Sequence, residues 1–147
     1  MREYFDKELT QLNDSLIEMG GLVEQAIKNT MKMIVDGEDL LDIAREHENR
    51  INEAEKSIQS RCLHLLLHQA PVAHDLRYVS AALKMITDLE RIGDQAVDIA
   101  EMSVYIKDKK QVFNLTHILE MADNASKMVT ELSLIHISEP TRLGMIS

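Results

Sequence analysis

Little in this 147-residue chain would bend it sharply or staple it shut. Two prolines and five glycines are too few for an all-β sandwich, which needs a turn signal about every ten residues. The single cysteine, Cys62, excludes an intramolecular disulfide and fits a reducing compartment. Tryptophan is absent and aromatics make up only 3%. No apolar run approaches the roughly 18 residues that cross a bilayer, so no membrane-spanning segment is expected. The opening MREYFDKELTQ is charged and amphipathic rather than a signal peptide, and a cytoplasmic protein is expected. Basic residues are also scarce, with Lys+Arg 16 against Asp+Glu 25, a net charge of −9 and a pI near 5.1. Nucleic acid is therefore not expected as a partner, because a phosphate backbone needs a basic field.

Apolar residues nevertheless form 45% of the chain, enough to bury a core. Leu, Ile, Val, Ala and nine methionines must fill it. Leu, Met, Ala, Glu and Lys keep side-chain freedom in a helix, and the expected class is all-α.

Phe5, Leu9, Leu12, Leu16, Met19, Val23, Ala26, Thr30 and Met33 alternate spacings of four and three, the apolar seam of one long helix. At about 1.5 Å per residue it spans some 45 Å. Gly20-Gly21 inside it costs about 1 kcal/mol each against Ala, which implies close backbone approach there. Asp36-Gly37 ends the helix with a left-handed cap. A second helix is expected over 38–68, with Leu40, Ala44, His47, Ile51, Ala54, Ile58, Cys62 and Leu65 on its seam. It stops before Pro71. A third runs from 71–74 to about 107, with Leu76, Val79, Leu83, Ile86, Leu89, Gly93, Ala96 and Ala100 facing inward. Lys109-Lys110 mark a turn, and a fourth amphipathic segment covers 111–131 through Leu115, Ile118, Ala122, Ala125 and Val129. A shift of 102 residues lays Leu16, Met19, Val23 and Ala26 over Ile118, Met121, Ala125 and Met128, as expected where a second copy of a helical unit begins.

Residues 132–147 break these patterns. LSLIHISEPTR resembles the translation of a transposase adapter used in DNA library preparation. The segment is accordingly expected to be non-native, and its His136 is set aside.

On the third helix Glu90, Asp94 and Asp98 stand four apart and share a ridge. Like charges at that spacing repel by a few tenths of a kcal/mol. Lys84 and Arg91 would offset part of this, and a hard cation more, since carboxylate oxygens are its ligands. Gly93 within the patch needs a compensating reason. On the second helix Glu48, Asn52 and Glu55 also share a face. Antiparallel packing would bring the two ridges together into an oxygen-rich site. A solvated acidic face is the plainer alternative. Asp42 and Glu46 read as ordinary surface, His47 as a packed seam residue and Cys62 as inert packing. His64 and His68, four apart, have a spacing that can share a metal. Asp75 suits a helix start, and Arg77 could pair with a neighbouring helix's carboxylates. No Ser-His-Asp set, phosphate loop or acid/base pair marks an enzyme.

Three motifs carry a family resemblance: Met19-Gly-Gly-Leu-Val-Glu-Gln25, Gln69-Ala-Pro-Val-Ala-His-Asp-Leu-Arg77 and Asp88-Leu-Glu-Arg-Ile-Gly-Asp94. Together, over residues 5–131, the chain resembles the PhoU family of phosphate-signalling regulators. The resemblance implies an antiparallel helical bundle built from two three-helix repeats, usually a homodimer. This chain would hold one repeat over 1–108 and the first helix of the next over 109–131. It also implies a cytosolic, non-enzymatic negative regulator of phosphate uptake and phosphate-starvation signalling. Its implied partners are a sensor histidine kinase and a phosphate ABC transporter. Some members bind iron or zinc through Glu/Asp-x-x-x-Asp motifs. The motif carries onto Glu90 and Asp94, and onto Glu48 with Asn52, with Glu55 and Asp98 as further candidate ligands. Asn52 departs from the pattern by losing a charge. The rival readings are a helical interaction bundle without metal and a ferritin-like carboxylate metalloenzyme. That enzyme class would show Glu-x-x-His pairs, which the helices lack.

Overall fold

The apolar seams draw the chain into three long helices that run up, down and up. The computed structural model describes residues 2–68 and 73–104, with helical backbone also at 120, 123, 124 and 127. Side chains are described for 4–67, for 76–104 and for the same four positions. Helix α1 spans Arg2–Val35, α2 Leu41–His68 and α3 Ala73–Val104, and each packs against both others. Among the described residues there is no strand.

All of the α1 seam, from Phe5 through Met33, is buried, so its 3.5-residue repeat marks the face turned to α2 and α3. α1 ends where expected. The Asp36 amide bonds the Lys32 carbonyl at 2.9 Å, and Gly37 takes φ 72°, the left-handed cap conformation that a side chain disfavours. α2 starts later than the spacing suggests, at Leu41 rather than 38. Asp39 Oδ1 accepts the Leu41 amide at 3.3 Å and the Leu40 carbonyl accepts the first helical bond, from Ala44, at 2.8 Å. Asp39 thus folds the preceding residues into an Asx turn instead of a first helical turn.

Facing residues fix the topology. Gln11 meets Arg61 and Tyr4 meets His64, so α1 and α2 are antiparallel. Thr30 of α1 reaches the Ala96 carbonyl of α3 at 2.9 Å while lying 3.0 Å from its own Ala26 carbonyl. With Val23 beside Gly93, this makes α1 and α3 parallel. Thr30 is 1% exposed, so its proton satisfies a backbone oxygen inside the core and pins the register of the two helices.

Two inward assignments need correction. Leu76 is 42% exposed, because it sits in the first turn of α3 at the end of the bundle, where the facing stretch of α2 is running out. The expected close approach at Gly20-Gly21 does not hold for Gly21: it is exposed, and a Cβ there would meet nothing within 4 Å. Gly20 is buried. The glycine that brings helices together is Gly93, where a Cβ would lie 3.1 Å from Ile51 Cδ1 and 3.9 Å from Val23 Cγ2. The end of α3, the fourth segment, the proposed repeat boundary and the 132–147 tail lie outside the described residues, apart from the four helical positions named above.

The two glycines predict opposite outcomes. Gly21→Ala fills open space on a helix and should stabilise the protein by about 0.5–1 kcal/mol. Gly93→Leu must displace Ile51 and should destabilise it by about 1–3 kcal/mol. Urea denaturation of both variants checks the contrast.

Candidate functional site

Ile51 lodged against Gly93 sets how closely α2 and α3 approach, and the acidic residues flank that contact on both helices. The sequence places Glu48, Asn52 and Glu55 on one face of α2, at spacings of one turn. The structure turns this face toward the Glu90–Asp94–Asp98 ridge of α3, in antiparallel register. Glu90 lies within hydrogen-bonding reach of Glu55 across the helices and of Asp94 one turn along its own helix. Glu48 feels the negative charge of Asp94, Glu101 and Asp98. The two ridges therefore form one acidic seam, half-buried except for exposed Asp98.

Burial and crowding together raise the affinity of Glu48, Glu90 and Asp94 for protons. For Glu90 the largest cause is the hydrogen bond to Glu55, followed by burial and the Glu55 charge, with the Asp94 contact pulling the other way. Asp94 is raised by burial first, then by the charges of Glu90 and Asp98 and the bond to Glu90. Glu48 is raised by burial and then by Asp94, Glu101 and Asp98, with Arg45 opposing.

Two oxygens in the seam are left over. Asn52 Oδ1 and Glu55 Oε2 are buried without a hydrogen-bond partner among the described residues. A buried acceptor without a donor is unfavourable, and carboxylate and amide oxygens are the donors a hard cation takes. The donor chemistry fits such a cation. The arrangement consists of facing pairs, however, and among the described residues no three His, Cys, Asp or Glu side chains converge into a metal cluster.

Other expected features resolve differently. Gly93 is accounted for by the Ile51 contact and needs no ion to explain it. Lys84 and Arg91 are exposed. The cation beside Glu48 is instead Arg45, whose Nε lies 3.7 Å from Glu101. Neither Arg45 nor Glu101 was singled out by spacing, though Glu101 lies one helical turn beyond Asp98 and extends its ridge. Asp42 and Glu46 are exposed surface. His47 is half-buried and its Nδ1 donates to the Ile43 carbonyl at 2.9 Å. His64 faces the Tyr4 hydroxyl at 3.3 Å, and the His68 side chain lies outside the described residues, as does that of Asp75. Arg77 is exposed. Cys62 is fully buried, which pushes its thiol up to about 11 and leaves it protonated and unreactive at neutral pH.

The PhoU domain matches residues 16–103, which take in most of all three helices. A "Phosphate-specific transport system accessory protein PhoU homolog" of Pseudomonas aeruginosa is 30% identical over 131 residues, covering 88% of this chain and 54% of that protein. The Synechocystis protein of the same description is 33% identical over 140 residues, covering 94% and 62%. The crystal structure of PhoU from P. aeruginosa superposes with a TM-score of 0.69 at 29% identity, covering 88% of this chain and 61% of that one. The chain thus spans somewhat over half the length of the relatives it matches.

Raised carboxyl pKa values have a definite sign. Native protons are held more tightly than unfolded ones, so this contribution is full at low pH and is lost as pH rises through the native values. Glu90→Gln keeps a donor toward Glu55 and removes one of the repelling charges. It should stabilise the protein near pH 7 by about 0.2–0.5 kcal/mol per like-charge pair relieved. The gain should vanish as pH falls below the ordinary carboxylate range, as read from urea midpoints across pH.

Proposed function

This chain belongs to the PhoU family, and we propose that it serves as a cytoplasmic regulator of phosphate uptake and phosphate-starvation signalling. The carrying observation is that the PhoU match runs along all three helices. The relatives are named for a phosphate-specific transport system. The regulator acts by contact and not by turnover, restraining the starvation response when phosphate is plentiful. Its partners are a sensor histidine kinase and the phosphate ABC transporter, and it works as a homodimer. None of the described helices is long and apolar enough to cross a membrane, which suits a protein that docks onto a membrane complex from outside the bilayer.

The acidic seam is the proposed metal site. Glu48, Asn52, Glu90 and Asp94 would hold the ion, with Glu55 and Asp98 as further ligands. What supports this is the pair of unpartnered oxygens, Asn52 Oδ1 and Glu55 Oε2, beside carboxyls that repel one another. A bound cation would neutralise that repulsion and tie α2 to α3. An all-oxygen set suits iron better than zinc, which favours nitrogen and sulfur. Asn52 contributes an oxygen without charge, so affinity should be lower than with a carboxylate in its place.

Two measurements test these readings separately. Protein purified without chelator should carry iron or zinc by elemental analysis, and the Glu90→Ala, Asp94→Ala double variant should lose it. Equal metal content in parent and variant would remove the site. Deleting the intact gene should derepress phosphate-scavenging genes in phosphate-rich medium, and unchanged expression would contradict the regulatory role.

A further inference from the structure

The corner between α1 and α2 holds the one Asp-Gly pair in the chain, Asp36-Gly37. Both residues are exposed. The Asp36 amide is committed to the Lys32 carbonyl at 2.9 Å, but the Gly37 amide donates to no carbonyl among the described residues. The Asp36 carboxyl has no hydrogen bond or ion pair among them either. The Asp39 carboxyl, by contrast, holds the Leu41 amide. Asp14, Asp88, Asp94 and Asp98 stand inside helices, where the amide that follows each is bound to the carbonyl four residues back. Gly37 has φ 72°, and a Cβ built on it would meet nothing within 4 Å. At this corner a free carboxyl therefore sits next to a free and unhindered amide nitrogen.

We propose that Asp36-Gly37 is a site of spontaneous isoaspartate formation, a covalent modification that loosens the corner between α1 and α2. The Gly37 amide nitrogen attacks Cγ of Asp36. A Cγ–N bond forms and a Cγ–O bond breaks. The departing oxygen leaves as water, carrying the amide proton and one proton from solvent, and a five-membered imide ring remains. Water then adds to the main-chain carbonyl carbon of Asp36 and breaks its bond to the Gly37 nitrogen. That carbon becomes a free carboxylate, and the chain now runs through Cγ. Glycine favours ring closure because it has no side chain to crowd the ring. The helix end favours it too. A carboxylate at the carboxyl end of α1 faces the like pole of the helix dipole, and the ring carries no such charge. The product has one extra backbone atom in the short segment 36–40. Leu40, at the far end of that segment, packs with Leu41 against Met33, Ala44 and Ala100. The added atom slackens the hold on Leu40, and with it the start of α2.

The test is to incubate the full chain at neutral pH and body temperature and to follow isoaspartate by peptide mapping. Enzymatic methylation specific for isoaspartyl carboxylates gives a second count. Isoaspartate should accumulate at position 36 ahead of every other aspartate. Its rate should lie within about tenfold of that in the urea-unfolded chain, because helix ends and loops open at little free-energy cost. Asp36→Asn, which releases ammonia instead of water, should form the same product faster. Asp36→Glu, whose ring would need six members, should form none there. In the modified fraction the Ala44 amide, which donates to the Leu40 carbonyl at 2.8 Å, should lose protection from hydrogen exchange. A native rate more than about tenfold below the unfolded one would overturn the site, as would equal isoaspartate at the other aspartates or in the Glu variant. Unchanged protection of Ala44 in the modified fraction would overturn the loosening.

Discussion

The contact between Ile51 and Gly93 governs most of what is distinctive here. A Cβ on α3 at that position would lie 3.1 Å from the Ile51 Cδ1 methyl, so a larger side chain would have to displace Ile51 from between the helices. With hydrogen alone at the α-carbon, Ile51 enters the gap and the flanking carboxyls are carried into each other's field. The electrostatic strain of the seam is thus a by-product of good apolar packing. Burying Ile51, Leu89 and Val23 supplies the free energy that holds like charges together, at roughly 1.5–3 kcal/mol per large apolar side chain. The repulsion opposes it at tenths of a kcal/mol per exposed pair.

Much of this was legible in the amino-acid pattern, and the parts that were not share a cause. The α1 seam could be read because every third or fourth residue reports burial, and the long stretch averages out local exceptions. Gly37 could be read because a helix stop by a left-handed residue is a local event. The ridges Glu48–Asn52–Glu55 and Glu90–Asp94–Asp98 were visible as faces, since helical spacing fixes which residues are neighbours on one helix. What spacing on a single helix does not carry is the register between two. Arg45 therefore went unnoticed as the cation nearest Glu48, while Lys84 and Arg91, close in sequence to the ridge, point away into solvent. Gly93 was noticed for its place among charges, but its reason was an isoleucine on another helix. Leu76 has the right phase to face inward, and only the end of the bundle leaves it exposed.

The PhoU match runs along the same three helices that carry these features. They form one body with distinct edges. The α2/α3 edge concentrates negative charge and oxygen donors, and the α1/α2 edge holds a cleft lined by Glu18 and Arg50. The α1/α3 contact is fixed internally by the Thr30 hydroxyl on the Ala96 carbonyl. The one thiol lies inside this body, buried and protonated.

The imbalance between attractive and repulsive charge gives the bundle an unusual dependence on ionic strength. Its exposed ion pairs, such as Lys28 with Glu24, contribute little and lose that little as counterions accumulate. The crowded edge between α2 and α3 gains from the same screening. Dissolved salt therefore tightens this molecule, and a dilute medium is where its two acidic helices press hardest to part.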